Sequence, residues 1–123
     1  MAWDVPQGAR RAARRGLDLR RAGHRGGTAE GARTASALAS GSIGDDLARK
    51  LVRWFARFGG TLATEARRKP GWGSTTDPSP MYVAWLLWGG DAGMAWAAKL
   101  VRQMDAADNE ELTARARASR SNG

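Results

Sequence analysis

The most informative stretch of this chain reads SPMYVAWLLWGGD and spans residues 79–91. Ser79 followed by Pro80 is a typical helix start, because the serine hydroxyl accepts a free amide hydrogen and proline has no amide hydrogen to leave unpaired. Residues 81–88 are apolar on every side, as is typical of a helix that other helices cover. Two glycines then end this helix, and Asp91 is placed to cap the next one. The stretch therefore predicts a buried central helix.

The most regular amphipathic pattern lies upstream, in residues 45–58. Its apolar side chains recur at helical spacing and are Leu47, Leu51, Trp54, Phe55 and Phe58. The first turn carries Asp45 and Asp46, at the end of a helix where the dipole favours carboxylates. Gly59 and Gly60 follow and favour a helix end. We expect an amphipathic helix here, with its basic residues on the side opposite the apolar one.

Four further helices follow from the positions of caps, glycines and prolines. They are predicted from Pro6 to Ala22 with Asp4 as the cap, from Ala29 to about Ala39 with Thr28 as the cap, from Thr61 to about Arg68, and from Asp91 to about Ala107. The last is expected to turn inward Met94, Ala97, Ala98, Val101 and Met104, with Trp96 and Leu100 at the edge of that stripe. No alternation of apolar and polar residues predicts a strand.

Tryptophan supplies much of the bulk for a core, since the chain has six Trp but few large aliphatic residues. The core candidates are Trp54, Trp72, Trp85, Trp88 and Trp96. Trp3 precedes the first helix and is either a hydrophobic staple or a partner contact. The predicted fold class is all-α, a compact bundle of about five to six short helices with a Trp-rich core and a frayed C-terminal tail. Residues 1–107 are expected to form a single helical domain and residues 108–123 a flexible or partly helical tail.

The positive charge is concentrated in the N-terminal half of the chain. The net charge is +8 in 123 residues, yet residues 1–27 alone carry seven Arg against two Asp. Residues 28–69 carry eight Lys or Arg against four acids, whereas residues 70–104 are balanced and residues 105–123 carry three Arg against four acids. Such asymmetry favours a polyanionic partner. The alternative is that these arginines only solvate exposed helix faces.

Basic residues of the first and third predicted helices, and of the turn after the first, are the candidate polyanion-binding site. They are Arg10, Arg11, Arg14, Arg15, Arg20, Arg21, Arg25, Arg49, Lys50 and Arg53. Arginine holds a phosphate oxygen pair through two parallel hydrogen bonds, and such contacts are insensitive to base sequence and weakened by salt. The turn at residues 23–28 places glycines and Arg25 before a helix start, so it is either a backbone–phosphate contact or a plain flexible turn.

Residues for catalysis, metal binding and membrane insertion are scarce. The chain has no Cys and one His, His24, so thiolate metal sites and an imidazole beside a serine nucleophile are not expected. The acid pairs at 45–46 and 110–111 are better explained by a helix start and a solvated tail. The N-terminus lacks the apolar run of a secretory signal, and the run from Met81 to Trp88 is far shorter than the ~20 residues that cross a bilayer. We expect no enzymatic activity, no cofactor, no metal and no membrane partner.

Several motifs resemble a small helical module of tailed-bacteriophage proteins, found free-standing or attached to head or prohead-protease-like proteins. The most specific is Ala-Trp-Leu-Leu-Trp-Gly-Gly-Asp-Ala-Gly at residues 84–93, and weaker ones are Gly26-Gly27-Thr28, Trp54-Phe55-Ala56-Arg57 and Gly71-Trp72. The resemblance covers about residues 3–104. It implies a phage-encoded protein of the virion head, present in the host cytoplasm before assembly, and transfers no catalytic residue. Similar sequences often have Arg-His where this chain has Arg57-Phe58.

Two functions of different classes are consistent with these features. In the first, a phage head-associated protein binds double-stranded DNA or an acidic capsid surface through its arginine-rich face. In the second, a capsid decoration or assembly protein acts through protein contacts at Trp3, the 70–80 loop or the tail, and the charge is incidental. A host-directed regulator made early in infection is a third possibility without a motif of its own. The expected partners are phage capsid or other virion proteins and double-stranded DNA, and the oligomeric state is open.

Overall fold

The structure, a computed structural model, describes the backbone of residues 2–121 and the side chains of residues 2–119. This part of the chain forms six helices and two short strands. In chain order they are β1 (Ala2–Asp4), α1 (Gln7–Arg21), α2 (Ala29–Ser40), β2 (Ser42–Gly44), α3 (Asp45–Phe58), α4 (Thr61–Arg67), α5 (Pro80–Leu87) and α6 (Gly90–Ser121). The predicted compact all-α fold is confirmed.

Helix α5 lies at the centre, as the stretch from residue 79 predicts. It contacts α1, α2, α4 and α6, and the side chains of Val83, Trp85 and Leu87 are almost wholly excluded from solvent. The hydroxyl of Ser79 accepts a hydrogen bond from the backbone N–H of Tyr82 at 3.2 Å, which confirms the predicted cap. The cap predicted for α2 is also confirmed, because Thr28 Oγ1 accepts from the N–H of Gly31 at 3.1 Å.

Helix α1 packs closely on the junction of α5 and α6 because its inner face is built from small residues. Ala9, Ala13 and Gly16 are buried there. A Cβ on Gly16 would lie 2.9 Å from the backbone nitrogen of Leu87. No side chain larger than hydrogen therefore fits between the two backbones at this point.

Helix α3 reaches the same core through large aromatic rings, which confirms the Trp-rich core. The Trp54 ring stacks on Trp88 with centroids 5.1 Å apart, and Phe55 meets Trp85 edge to face at 5.1 Å. Trp72, from the loop before α5, lies 5.9 Å from Trp85. These rings fill the space that an Ala-rich sequence leaves open.

A polar cluster joins the aromatic core to the start of α6. Trp85 Nε1 donates to Asp91 Oδ1 at 2.9 Å, and the guanidinium of Arg67 also bonds this carboxylate. That guanidinium lies over the Trp72 and Trp85 rings, 5.1 and 5.5 Å from their centroids. The sequence predicts Asp91 as the cap of α6, but this residue lies within the first turn, after Gly90. Its carboxylate is used for tertiary contacts with Arg67 and Trp85.

A two-stranded antiparallel sheet, which the sequence did not predict, ties the N-terminus to the α2–α3 connection. Trp3 pairs with Ile43, and three-residue strands are too short to show an alternating pattern. Asp4 lies in β1, so the predicted Asp4 cap of α1 is wrong; Pro6 holds the cap position and contributes no side-chain hydrogen bond. Trp3 Nε1 donates to Asp45 Oδ1 at 2.6 Å, so Trp3 anchors β1 to α3.

Helix α6 differs from the predicted helix in which of its side chains are buried and in its length. Its buried side chains are Trp96, Ala97, Leu100 and Met104, while Ala98 and Val101 are exposed. The inward stripe is therefore rotated toward the bulkier Trp96 and Leu100. The helix also runs on past Ala107 to Ser121, since the added residues include strong helix formers and an i,i+4 salt bridge between Glu111 and Arg115. The described part of the predicted tail is thus helical.

Candidate polyanion-binding surface

The solvent-facing side of α1 carries a row of arginines. The exposed residues of this helix and its C-cap are Gln7, Arg11, Arg14, Arg15, Asp18, Arg21 and Ala22, which recur at the spacing of one helix face. We name Arg11, Arg14, Arg15 and Arg21 the arginine stripe. The opposite face is held against α5 and α6, so the orientation of the stripe is set by the core and not by the arginines themselves.

Two of the seven N-terminal arginines instead hold the fold together. Arg10 Nε donates to the carbonyl of Val5 at 2.7 Å, and its Nη2 donates to the carbonyl of Gly41 at 3.3 Å. Arg20 Nη1 donates to the carbonyl of Thr28 at 2.7 Å. Both side chains are partly buried, and their guanidinium groups donate to backbone carbonyls. Arg10 and Arg20 are therefore structural residues first, and their donors are less accessible to an anion than those of the arginine stripe.

The arginine stripe has little negative charge near it. Arg21 is 3.7 Å from Asp18, with both side chains more than 70% exposed. Arg14 donates a long hydrogen bond of 3.3 Å to the carbonyl of Ala39. Within the part of the chain that the structure describes, Arg11 and Arg15 form no ion pair and no side-chain hydrogen bond. Their guanidinium groups are free to bind an anion.

A shallow groove of about 400 Å³ runs beside these two arginines and includes Leu86 of α5. It gives Arg11 and Arg15, one helical turn apart, a shared recess at the surface. An anionic oxygen pair placed there would meet two guanidinium groups and an apolar wall. This arrangement suits a phosphate group and contains no nucleophile or general base.

The glycine-rich turn after α1 is packed against α5. Gly26 and Gly27 have positive φ values of +140° and +70°, and a Cβ on Gly26 would overlap the carbonyl oxygen of Pro80. Glycine is required there by backbone conformation and by close packing. Arg25 is exposed between these glycines and His24, which is half-buried. The turn therefore presents Arg25 to solvent on a closely packed backbone, four residues after Arg21 of the arginine stripe.

The predicted basic residues of α3 face acids. Lys50 Nζ lies 2.6 Å from Glu30 Oε1, and this lysine is the main reason that the pKa of Glu30 lies below its ordinary value. Arg49 and Arg53 are exposed and line a groove with Asp105 and Asp108 of α6. Acidic side chains therefore lie near all three predicted basic residues of α3. Of the seven on α1 and its turn, Arg10 and Arg20 bond to the backbone, and the arginine stripe and Arg25 are exposed.

The sequence did not reveal which arginines bond to the backbone. Arg10 and Arg20 each follow a buried position, Ala9 and Leu19, but Arg14 also follows buried Ala13, so adjacency to the apolar stripe does not distinguish the two. Their carbonyl partners lie up to 31 residues away and come close only in the folded chain.

Other kinds of site find little support in the described residues. Residues 2–119 contain no group of three or more His or acidic side chains placed to hold a metal ion. Within residues 2–121, no helix is both long and apolar enough to cross a membrane, although α6 has 32 residues. Comparison with family models, with curated proteins and with solved structures finds no match to this chain.

Proposed function

We propose that this protein is a non-enzymatic, phage head-associated protein that binds the phosphate backbone of duplex DNA through the arginine stripe and Arg25. The observation that carries the proposal is the row of four exposed arginines on α1, interrupted by one acid, Asp18. A row of guanidinium groups on a rigid helix matches a row of phosphates, since each guanidinium can hold two oxygens of one phosphate.

The dimensions of α1 agree with this partner. Arg11 and Arg21 are ten residues apart, which corresponds to about 15 Å along a helix axis at 1.5 Å per residue. Duplex DNA advances about 3.4 Å along its axis per base pair, so a stripe lying along that axis spans roughly four base pairs. Binding through such contacts is insensitive to base sequence and falls steeply with salt.

The phage assignment rests on the similarity of residues 84–93 to the phage module. In this chain the same segment forms the end of α5, the turn and the start of α6, with Trp85 bonded to Asp91. The segment has a packing role in this chain and carries no reaction chemistry. The proposed location is accordingly the phage head, with the host cytoplasm as the site of synthesis.

The test is retention of labelled duplex DNA by the purified protein across a salt series. Changing Arg11, Arg15 and Arg21 together to Gln should abolish most binding at moderate salt, and the slope of log affinity against log salt should decrease by about 0.9 for each phosphate that the variant no longer neutralises. The matched control changes Arg68, Lys99 and Arg102 to Gln, which removes the same charge from exposed positions elsewhere. Equal reductions in the two variants would mean that net charge, and not the stripe, binds DNA.

An acidic surface of the capsid shell is the other polyanion that the stripe suits. If the wild-type protein shows no DNA retention at low salt, the DNA proposal fails. Salt-sensitive binding to assembled capsids, abolished in the Arg11, Arg15 and Arg21 variant, would then assign the stripe to the capsid.

A second candidate function is capsid decoration or assembly through protein contacts alone. The observation that favours it is the outer half of α6, where residues 108–119 are all exposed and Leu112 is 61% exposed. An exposed helical arm of this kind offers a partner both a backbone of fixed shape and an apolar contact. Co-purification with capsid protein at high salt, abolished in Leu112→Glu and kept in the arginine variant, would support this function over DNA binding.

A further inference from the structure

The surface between α3 and α6 carries an open apolar groove. Two adjacent depressions of about 240 Å³ each meet at Val52 and Val101, which line both of them. Val101 is 39% exposed and Ala98, one turn before it, is exposed as well. A continuous apolar floor at the surface of a helix pair is typical of a place where further helices pack.

The charges at one end of the groove are opposite on its two sides. Arg49 and Arg53 line the α3 side, and Asp105 and Asp108 line the α6 side. Across residues 2–119 none of these four side chains forms an ion pair or a side-chain hydrogen bond. Two cations therefore lie opposite two carboxylates across an apolar floor, and none of the four is within ion-pair distance of a partner among the described residues, although Arg49 also interacts electrostatically with Asp45, one turn before it on α3.

The direction of the helices determines what this surface complements. Arg49 shares one depression with Asp108, and Ala56 shares the other with Met94, so α3 and α6 run antiparallel. A twofold axis along the groove would place α3 of one copy over α6 of a second copy at the same level. Arg49 and Arg53 would then meet Asp108 and Asp105 of the second copy, while Val52 and Val101 meet the same apolar floor.

We infer that a second copy of this chain docks on the α3–α6 face, forming a symmetric dimer with a four-helix interface. A twofold interface requires a surface that is complementary to itself, and this face has that property in both charge and apolarity. A polyanion would be repelled by the aspartates, which separates this face from the arginine stripe. The inference goes beyond the proposed function and is independent of it, because it uses no residue of α1.

The test is the mass of the protein in solution, measured by light scattering and sedimentation over a range of protein concentrations. The wild-type chain should approach twice its monomer mass as concentration rises. Val101→Glu should remain a monomer with an unchanged circular dichroism spectrum, because residue 101 is exposed in the monomer. Leu62→Glu is the matched control, since Leu62 is 49% exposed on α4, outside the groove, and should dimerise as the wild type does.

A charge exchange makes the test specific to the proposed pairing. Arg53→Glu alone and Asp105→Arg alone should each remain monomeric, because each places like charges across the interface twice. Mixing these two variants should restore a dimer, since the introduced carboxylate and the introduced guanidinium then face each other and the two native groups pair. A wild-type monomer at every concentration, a dimer that survives Val101→Glu, or a mixture that stays monomeric would overturn the inference.

Discussion

Helices α1 and α3 are both basic and amphipathic and have 15 and 14 residues, yet they contact the core in opposite ways. The inner face of α1 has Leu19 near its end but is otherwise small, with Ala9, Ala13 and Gly16 bringing its backbone against α5. The inner face of α3 is bulky and includes Phe55, which meets the ring of Trp85. The α1 side of the core thus depends on small side chains, and the α3 side depends on large ones. An enlarging substitution should therefore destabilise the first, and a truncating substitution should destabilise the second.

The outer faces of the two helices differ as well. The arginines of α1 lie in a row with Asp18 as the single acid. On α3, Lys50 pairs with Glu30, and Arg49 and Arg53 lie opposite Asp105 and Asp108. Positive charge on a helix is therefore not equivalent to a positive surface. The surrounding elements decide whether an arginine meets solvent, a carbonyl or a carboxylate.

The aromatic side of the core should be the most sensitive to substitution. Trp85→Ala should lower the free energy of unfolding by about 3–5 kcal/mol, because it removes a buried ring and leaves a cavity beside Trp54, Phe55 and Trp72. Denaturant unfolding followed by circular dichroism measures this change. Arg14→Ala, an exposed substitution, should change stability by less than about 0.5 kcal/mol. Similar changes in the two variants would mean that the core is centred elsewhere.

Substitution on the side of the core where α1 packs closely on α5 should reduce stability by a smaller amount. Gly16→Ala should destabilise the fold by about 1–2 kcal/mol. The added methyl group would crowd the backbone of Leu87, and this cost in free energy exceeds the gain from the higher helix propensity of alanine. Gly44→Ala is the control for a methyl group added without crowding, since nothing lies within 4 Å of a Cβ there and φ is −85°; it should lose only the preference of the α3 N-cap for glycine over alanine. Thermal unfolding of both variants compares them, and a Gly16→Ala protein more stable than the wild type would refute close packing of α1.

Asp91, whose carboxylate accepts a hydrogen bond from Trp85, should affect stability less than Trp85 or Gly16 when it is substituted. Burial raises the pKa of Asp91, but hydrogen bonds from Arg67 and Trp85 and the charge of Arg67 outweigh burial and hold this pKa below its ordinary 3.8. The ionised carboxylate therefore stabilises the fold above pH 3.8, and this contribution disappears as pH falls through the lowered pKa.

The variant Asp91→Asn isolates this contribution. Its melting temperature should lie below that of the wild type at neutral pH, and the difference should close as pH falls below 3.8. Thermal melts across an acid pH series measure the difference. A gap that stays constant with pH would show that the amide perturbs packing and that the charge of Asp91 contributes nothing.

Much of the helical structure was predictable because its signals act within one turn. The hydroxyls of Ser79 and Thr28 cap helices through amides three residues ahead, and Gly41 ends α2 with a left-handed φ of 101°. The β1–β2 pairing was not predictable, since its partners are about 40 residues apart and each strand has three residues. For residues 108–123 the sequence predicts only a flexible or partly helical tail, because a polar, exposed segment lacks the apolar period that marks a packed helix.

The candidate site was predictable in composition and not in arrangement. Ten basic residues could be named from the charge distribution, but their partners could not, because a side chain reaches groups that are distant in sequence. Arg10 and Arg11 are neighbours in the chain, and one bonds to Val5 and Gly41 while the other is free in solvent.

The helices, the caps at Thr28 and Ser79, the aromatic core and the concentration of positive charge toward the N-terminus follow from the amino-acid order alone. These properties depend on backbone preference, on hydrophobic period and on composition, all of which are local. Which arginines remain exposed, which acids face α3 and which side of α6 is buried became fixed only when the helices packed. Those outcomes depend on elements that are distant in sequence, since burial and charge pairing are set by neighbours in space.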